Sequence, residues 1–108
     1  MQPMQKQVDT NFSLVNGEEK FLMNSFRFKI IEINDSRCPI GVKCFTAGDV
    51  KVKAQIESQI YTFILKANSD ALKFTHKNYT IELINVLPHT IYQVKDQEEK
   101  KTVWKIIQ

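Results

Sequence analysis

Val50-Lys51-Val52-Lys53-Ala54-Gln55-Ile56-Glu57 alternates apolar and polar side chains over eight positions without a break. A repeat of two places all the apolar groups on one side of an extended chain, so this stretch predicts a strand with one dry and one wet face. After Ser58-Gln59 the run Ile60-Tyr61-Thr62-Phe63-Ile64-Leu65 resumes with β-branched and aromatic residues, which favour a pleated surface. The two segments read as a hairpin. A loop centred on Ser58-Gln59 pairs Ile56 with Tyr61, Ala54 with Phe63 and Val52 with Leu65, putting all six on one face.

Working outward, Phe26 to Ile33 also alternates, but its apolar phase slips by one between Ile30 and Ile31. The same slip recurs in Tyr79 to Val86, where Leu83 and Ile84 are adjacent, before Pro88 ends the run. A β-bulge accounts for each slip. Shorter strand candidates are Asn11 to Val15, Lys20 to Met23 after the turn signal Asn16-Gly17, and Thr102 to Ile107. Asp70 to Phe74 is the one helical rival, worth a single turn capped by Ser69 or Asp70. About seven short antiparallel strands predict an all-β, two-sheet sandwich of the immunoglobulin-like type, with a small closed barrel as the alternative. Asp35 to Gly48, Lys66 to Lys77 and Pro88 to Lys101 lack strand character, and a site is expected on loops such as these, gathered at one end of the scaffold.

The 108 residues suit one domain, residues 1–108, with 1–10 as a flexible N-terminal segment. Apolar residues at 43% and charged residues at 25% exclude intrinsic disorder and fibrous repeats. The formal charge of +3 is spread with mixed signs, Lys51 and Lys53 being followed by Glu57, so no basic stripe for nucleic acid is expected. No apolar run reaches the roughly 20 residues of a membrane helix. The start, Met1-Gln2-Pro3-Met4-Gln5, has no apolar leader core.

Both cysteines fall in Asp35-Ser36-Arg37-Cys38-Pro39-Ile40-Gly41-Val42-Lys43-Cys44-Phe45-Thr46-Ala47-Gly48. Pro39 fixes φ and Gly41 permits positive φ, so the chain between the sulfurs can turn back and make a local disulfide feasible. A pair of cysteines confined to one turn-rich loop fits an oxidising compartment.

The same segment resembles a family of small, uncharacterised bacterial secreted proteins and lipoproteins. Their pattern is an apolar strand, D-S-R-C-P, a short Gly-containing turn, Cys, an apolar residue, Trp, Ala-Gly and an alternating strand. Asp35 to Pro39, Gly41-Val42, Cys44 and Ala47-Gly48 carry the likeness, with Tyr79, Ile81, Leu83 and Pro88 in its weaker tail. Thr46 stands where the family carries Trp. The resemblance implies an extracytoplasmic address, a leader removed upstream of residue 1 with a lipid anchor there in the lipoprotein members, and a Cys38–Cys44 pair. It implies no activity.

Arg37 admits two uses. Its planar fork suits bidentate recognition of a carboxylate or glycan on a partner. Alternatively, Asp35, Ser36 and Arg37 hold their own loop through side-chain to backbone hydrogen bonds and one ion pair. Cys38, Cys44, His76 and His89 lack the spacing of a zinc finger, and a thiol nucleophile fails once the sulfurs are joined. Glu18-Glu19 and Glu98-Glu99 lie in polar turns as solvated charge. Trp104, Tyr61 and Phe63 could stack on sugars, but alternating strands use such rings as core. No enzyme, metal or cofactor is expected. The expectation is a monomeric binding domain whose end loops engage a protein or glycan of the envelope, or else a structural envelope domain without a specific ligand.

Overall fold

A computed structural model describes residues 9–23, 25–67 and 71–108. Among the described residues there are eight strands: β1 (Asp9–Val15), β2 (Glu19–Leu22), β3 (Phe26–Asp35), β4 (Asp49–Ile56), β5 (Gln59–Lys66), β6 (Leu72–His76), β7 (Tyr79–Leu87) and β8 (Lys101–Ile107). They form two antiparallel four-stranded sheets, ordered β1-β8-β7-β6 and β2-β3-β4-β5. The architecture is the expected open two-sheet sandwich, with one strand more than anticipated. The immunoglobulin comparison holds for the architecture; the strand order here is two meanders, with β1 returning to pair β8.

The extra strand is β6. The helical turn considered over Asp70 to Phe74 is replaced, from Leu72 onward, by extended chain in which half-buried and exposed residues alternate. Pairing with β7, Leu72 opposite Leu83 and Phe74 opposite Ile81, overrides the weak helical propensity of Ala71-Leu72-Lys73. The proposed caps Ser69 and Asp70 lie outside the described residues, as do residues 1–8 of the expected N-terminal segment; β1 already begins at Asp9.

Both anticipated bulges are present. The β3–β4 register shifts between Ile30 and Glu32, and the β7–β8 register between Leu83 and Asn85. Ile31 and Ile84 are therefore the extra residues, and both are exposed. The β4–β5 hairpin forms in a different register from the one expected. Its turn is the two-residue Glu57-Ser58, with Glu57 at φ 57°, so Gln59 is already in the strand opposite Ile56. Val52 consequently faces Phe63 and Val50 faces Leu65. A slip of two keeps each side chain on its side, which is why the inward face is still Val50, Val52, Ala54, Ile56, Phe63 and Leu65. Asn16-Gly17 does turn, with Gly17 at φ +85°, but it carries the chain from one sheet to the other.

The core is organised around Trp104. Its ring stacks on Phe12 and meets Phe28 and Phe63 edge-on at 4.8 and 5.1 Å. Trp104 and Phe63 are fully or almost fully buried and Tyr61 is half-buried, so these aromatics are packing residues. Full burial of each large apolar side chain contributes about 1.5–3 kcal/mol. The one polar atom of the indole is satisfied inside: Nε1–H donates to Thr102 Oγ1 at 2.6 Å, whose own hydroxyl donates to the Leu14 carbonyl at 2.8 Å.

Candidate functional site

The sheets bring three irregular segments to one end: residues 36–48 between β3 and β4, the start of the β5–β6 connection, and residues 88–100 between β7 and β8. Of the second expected irregular segment, Lys66 and Ala67 lie at this end, Leu72 to His76 are strand, and Lys77 sits beside Glu57 at the opposite end. Ala67 N–H donates to the Gly48 carbonyl at 3.0 Å, and Ile40 N–H to the Thr90 carbonyl at 2.9 Å.

Asp35 ends β3, and its Oδ1 accepts the Arg37 backbone N–H at 3.1 Å, the short local turn that an aspartate makes with the residue two further on. That turn places the Arg37 guanidinium against the same carboxylate, Nε–Oδ1 at 2.8 Å and Nη2–Oδ2 at 2.7 Å. Nη2 also donates to the Val86 carbonyl at 2.8 Å, and Nη1 to Asn85 Oδ1 at 3.2 Å. Both of these partners directly follow the β7 bulge at Ile84. Lys100 adds its Nζ to Asp35 Oδ2 at 2.9 Å while donating to Thr90 Oγ1. The Asp35 and Arg37 side chains are each 7% exposed.

Burial alone would push the Asp35 carboxyl up. Hydrogen bonds from the Arg37 side chain, from Lys100 and from the Arg37 backbone N–H outweigh it and hold the group well below the usual carboxylate range. Ser36 turns the other way, its hydroxyl donating to the Asp49 carbonyl and to Asp49 Oδ1. The structure thus brings Asp35 and Arg37 together with Asn85, Val86 and Lys100, and sends Ser36 to the start of β4. Most of the Arg37 fork is occupied within the chain, which is the arrangement of a loop brace.

Beyond the brace, Cys38 and Cys44 form a disulfide with Cα atoms 5.9 Å apart. Gly41 lies in its ring at φ +98°, the positive φ that a glycine permits there. Cys38 N–H donates to the Ala47 carbonyl, and His89 Nε2–H to the Cys38 carbonyl at 2.8 Å. The Ile40–Ile91 bridge and the Tyr92 N–H to Ile40 carbonyl bond tie this ring to the β7–β8 loop, whose own turn is held by Gln97 bonding to both Ile91 and His89. His76 lies at the other end of the sandwich beside Glu57, so the two histidines do not meet the sulfurs together.

Two features here were not singled out from sequence. The first is an apolar tip: Ile40, Val42, Tyr92 and Val94 are exposed, and Phe45 is 108% exposed, its whole ring in solvent. Thr46 is exposed beside it. The only available signal was the apolar composition of an otherwise turn-rich loop. The second is a hollow of about 240 Å³ lined by Arg37, Leu65, Lys66, Ala67, Ile84, Asn85 and His89. Its lining comes from four separate segments, so no local motif announces it. Compared with known protein families, curated proteins and solved structures, the chain matches none.

Proposed function

We propose that this chain is a non-enzymatic binding domain that works outside the reducing cytosol and engages a protein or glycan of the cell envelope through its apolar tip. The observation that carries the reading is the exposure of Phe45, with Ile40, Val42, Tyr92 and Val94, on loops that a disulfide and a buried ion network hold in place. A fully solvated aromatic ring favours association, because covering it removes apolar area from water. Presenting it on a braced loop lowers the ordering cost that a flexible loop would incur on binding. The disulfide supports an extracytoplasmic address, and so does the resemblance to exported bacterial proteins; among the described residues no helix is long and apolar enough to cross a membrane.

The test is affinity capture from solubilised envelope, comparing the wild-type chain with a Phe45→Ser/Tyr92→Ser variant of unchanged thermal unfolding. Reproducible capture of one component by the wild type, lost in the variant, supports the reading. Equal capture by both sinks it. Capture of nothing, together with altered envelope integrity on deletion, would favour a structural envelope domain instead.

A further inference from the structure

We propose that the hollow beside the Arg37 brace takes the C-terminal carboxylate of an extended polypeptide, which adds as a strand to the edge of β5 that no described strand pairs. The proposal deepens the binding reading above, and rests on it in taking this end of the sandwich as the working end.

Three observations converge. The first is charge. Asp35, Arg37 and Lys100 bring two cations to one carboxylate, with side chains 7%, 7% and 26% exposed. The cluster therefore keeps one positive charge where solvent screens it poorly, beside the open hollow. A carboxylate complements it.

The second is the supply of donors. Asn85 Oδ1 accepts from Arg37 Nη1 and from the Val86 N–H, so the amide oxygen is used and its NH₂ has no partner among the described residues. One N–H of Arg37 Nη1 is likewise left over after Asn85 is served. Both residues line the hollow, and Leu65, Ala67 and Ile84 give it an apolar wall for the side chain next to the carboxylate.

The third is the strand that leads there. Edge strands are normally kept short, charged, bulged or broken by proline to discourage pairing. Of the four edges, β2 and β6 are short, and β1 shows Asn11 and Ser13 to solvent. Gln59 to Leu65 of β5 has no charge, no proline and no bulge, and shows Ile60 and Ile64 outward. Its end, Leu65-Lys66-Ala67, forms part of the hollow. A segment running parallel to β5 therefore finishes with its carboxylate at the Arg37–Asn85 side, combining strand addition with chain-end capture.

The test uses fluorescein-labelled Thr-Val-Thr-Val-Thr-Val as the free acid and as the carboxamide, titrated with the full chain and read by anisotropy. The free acid should bind at least about tenfold more tightly than the amide, and should slow hydrogen exchange at β5 amides. Asn85→Asp keeps the acceptor for Arg37 but replaces the NH₂ with negative charge. It should weaken the acid at least about tenfold, with unfolding unchanged. Equal affinity for acid and amide, no saturable binding up to about 1 mM, or protection confined to residues outside β5 would each overturn the proposal. So would pairing of β5 with a second copy that the peptide does not displace. Phe45→Ser should bind the peptide like the wild type, so loss of peptide binding with Phe45-dependent envelope capture intact defeats this proposal alone.

Discussion

Lys100 Nζ lies 2.9 Å from Asp35 Oδ2, on the same carboxylate oxygen that Arg37 Nη2 holds at 2.7 Å. One acidic side chain at the end of β3 thereby ties the cysteine loop to the β7–β8 loop. The two loops are otherwise joined by the backbone bonds of Ile40 to Thr90 and Tyr92 and by the His89 bond to the Cys38 carbonyl.

Removing that acid leaves two cations facing each other in a largely buried place. Asp35→Asn should cost about 3 kcal/mol at neutral pH, the scale for breaking a buried ion pair by deleting one partner. The dependence on pH follows from the lowered carboxyl. An acid whose folded-state pKa lies below its unfolded value, about 3.9, contributes its full stability above that value and loses it as pH falls through and below it. Urea unfolding should therefore separate wild type from Asp35→Asn widely at pH 7, with the gap closing below about pH 4. A constant gap across that range would show that the loss comes from packing.

Gly48 is a second constraint on the same turn. It lies at φ +78°, and a Cβ there would fall 2.9 Å from Arg37 Cα and closer still to the Ser36 carbonyl oxygen, both backbone atoms. Gly17 has a similar φ of +85° but open space around it. Gly17→Ala should thus cost only the left-handed penalty of about 1 kcal/mol, while Gly48→Ala must also displace the loop and should cost about 3 kcal/mol. Equal thermal shifts for the two would mean that the loop yields freely.

Much of the scaffold was legible because period-two patterning is local. The slips at Ile30-Ile31 and Leu83-Ile84 each marked a bulge, and the inward faces of β4 and β5 follow from alternation even though the register differed by two. What alternation cannot carry is partnership. That β1 pairs β8 is decided by packing across the whole chain, and β6 is too short for its pattern to outweigh neighbouring helix formers. The brace was half legible: an aspartate two residues before an arginine announces a local turn. Its distant members were not, since Asn85 reads as a strand residue beside a bulge and Lys100 as one more solvated charge in a polar loop.

The disulfide should act locally. Cys38→Ser/Cys44→Ser opens a short ring, worth about 2 kcal/mol in the chain-entropy model. The two sheets do not depend on it, because β3 and β4 remain paired from Phe28–Ile56 to Asp35–Val50. Hydrogen exchange should accelerate at the Cys38, Ile40 and Tyr92 amides, whose bonds fasten the ring to its neighbours, and stay slow at Val52 and Trp104. Uniform acceleration would place the sulfur link among the determinants of the whole fold.

Thr102 carries the polar chain inside the core. Its hydroxyl receives the Trp104 indole N–H and passes its own proton to the Leu14 carbonyl, joining the central aromatic to the neighbouring edge strand β1. Thr102→Val keeps the volume but strands a buried donor and a carbonyl that loses this bond, while Thr102→Ser keeps both bonds and loses one methyl. Leaving such groups unpaired costs about 1–3 kcal/mol, more than the net value of a typical hydrogen bond, because neither recovers water. The valine variant should lose about 2 kcal/mol and the serine variant about 1 kcal/mol, so serine should be the milder change despite the smaller side chain. Thermal unfolding of the pair decides it: a valine variant at least as stable as serine would show that apolar packing around Trp104 outweighs the hydrogen-bonded link to β1.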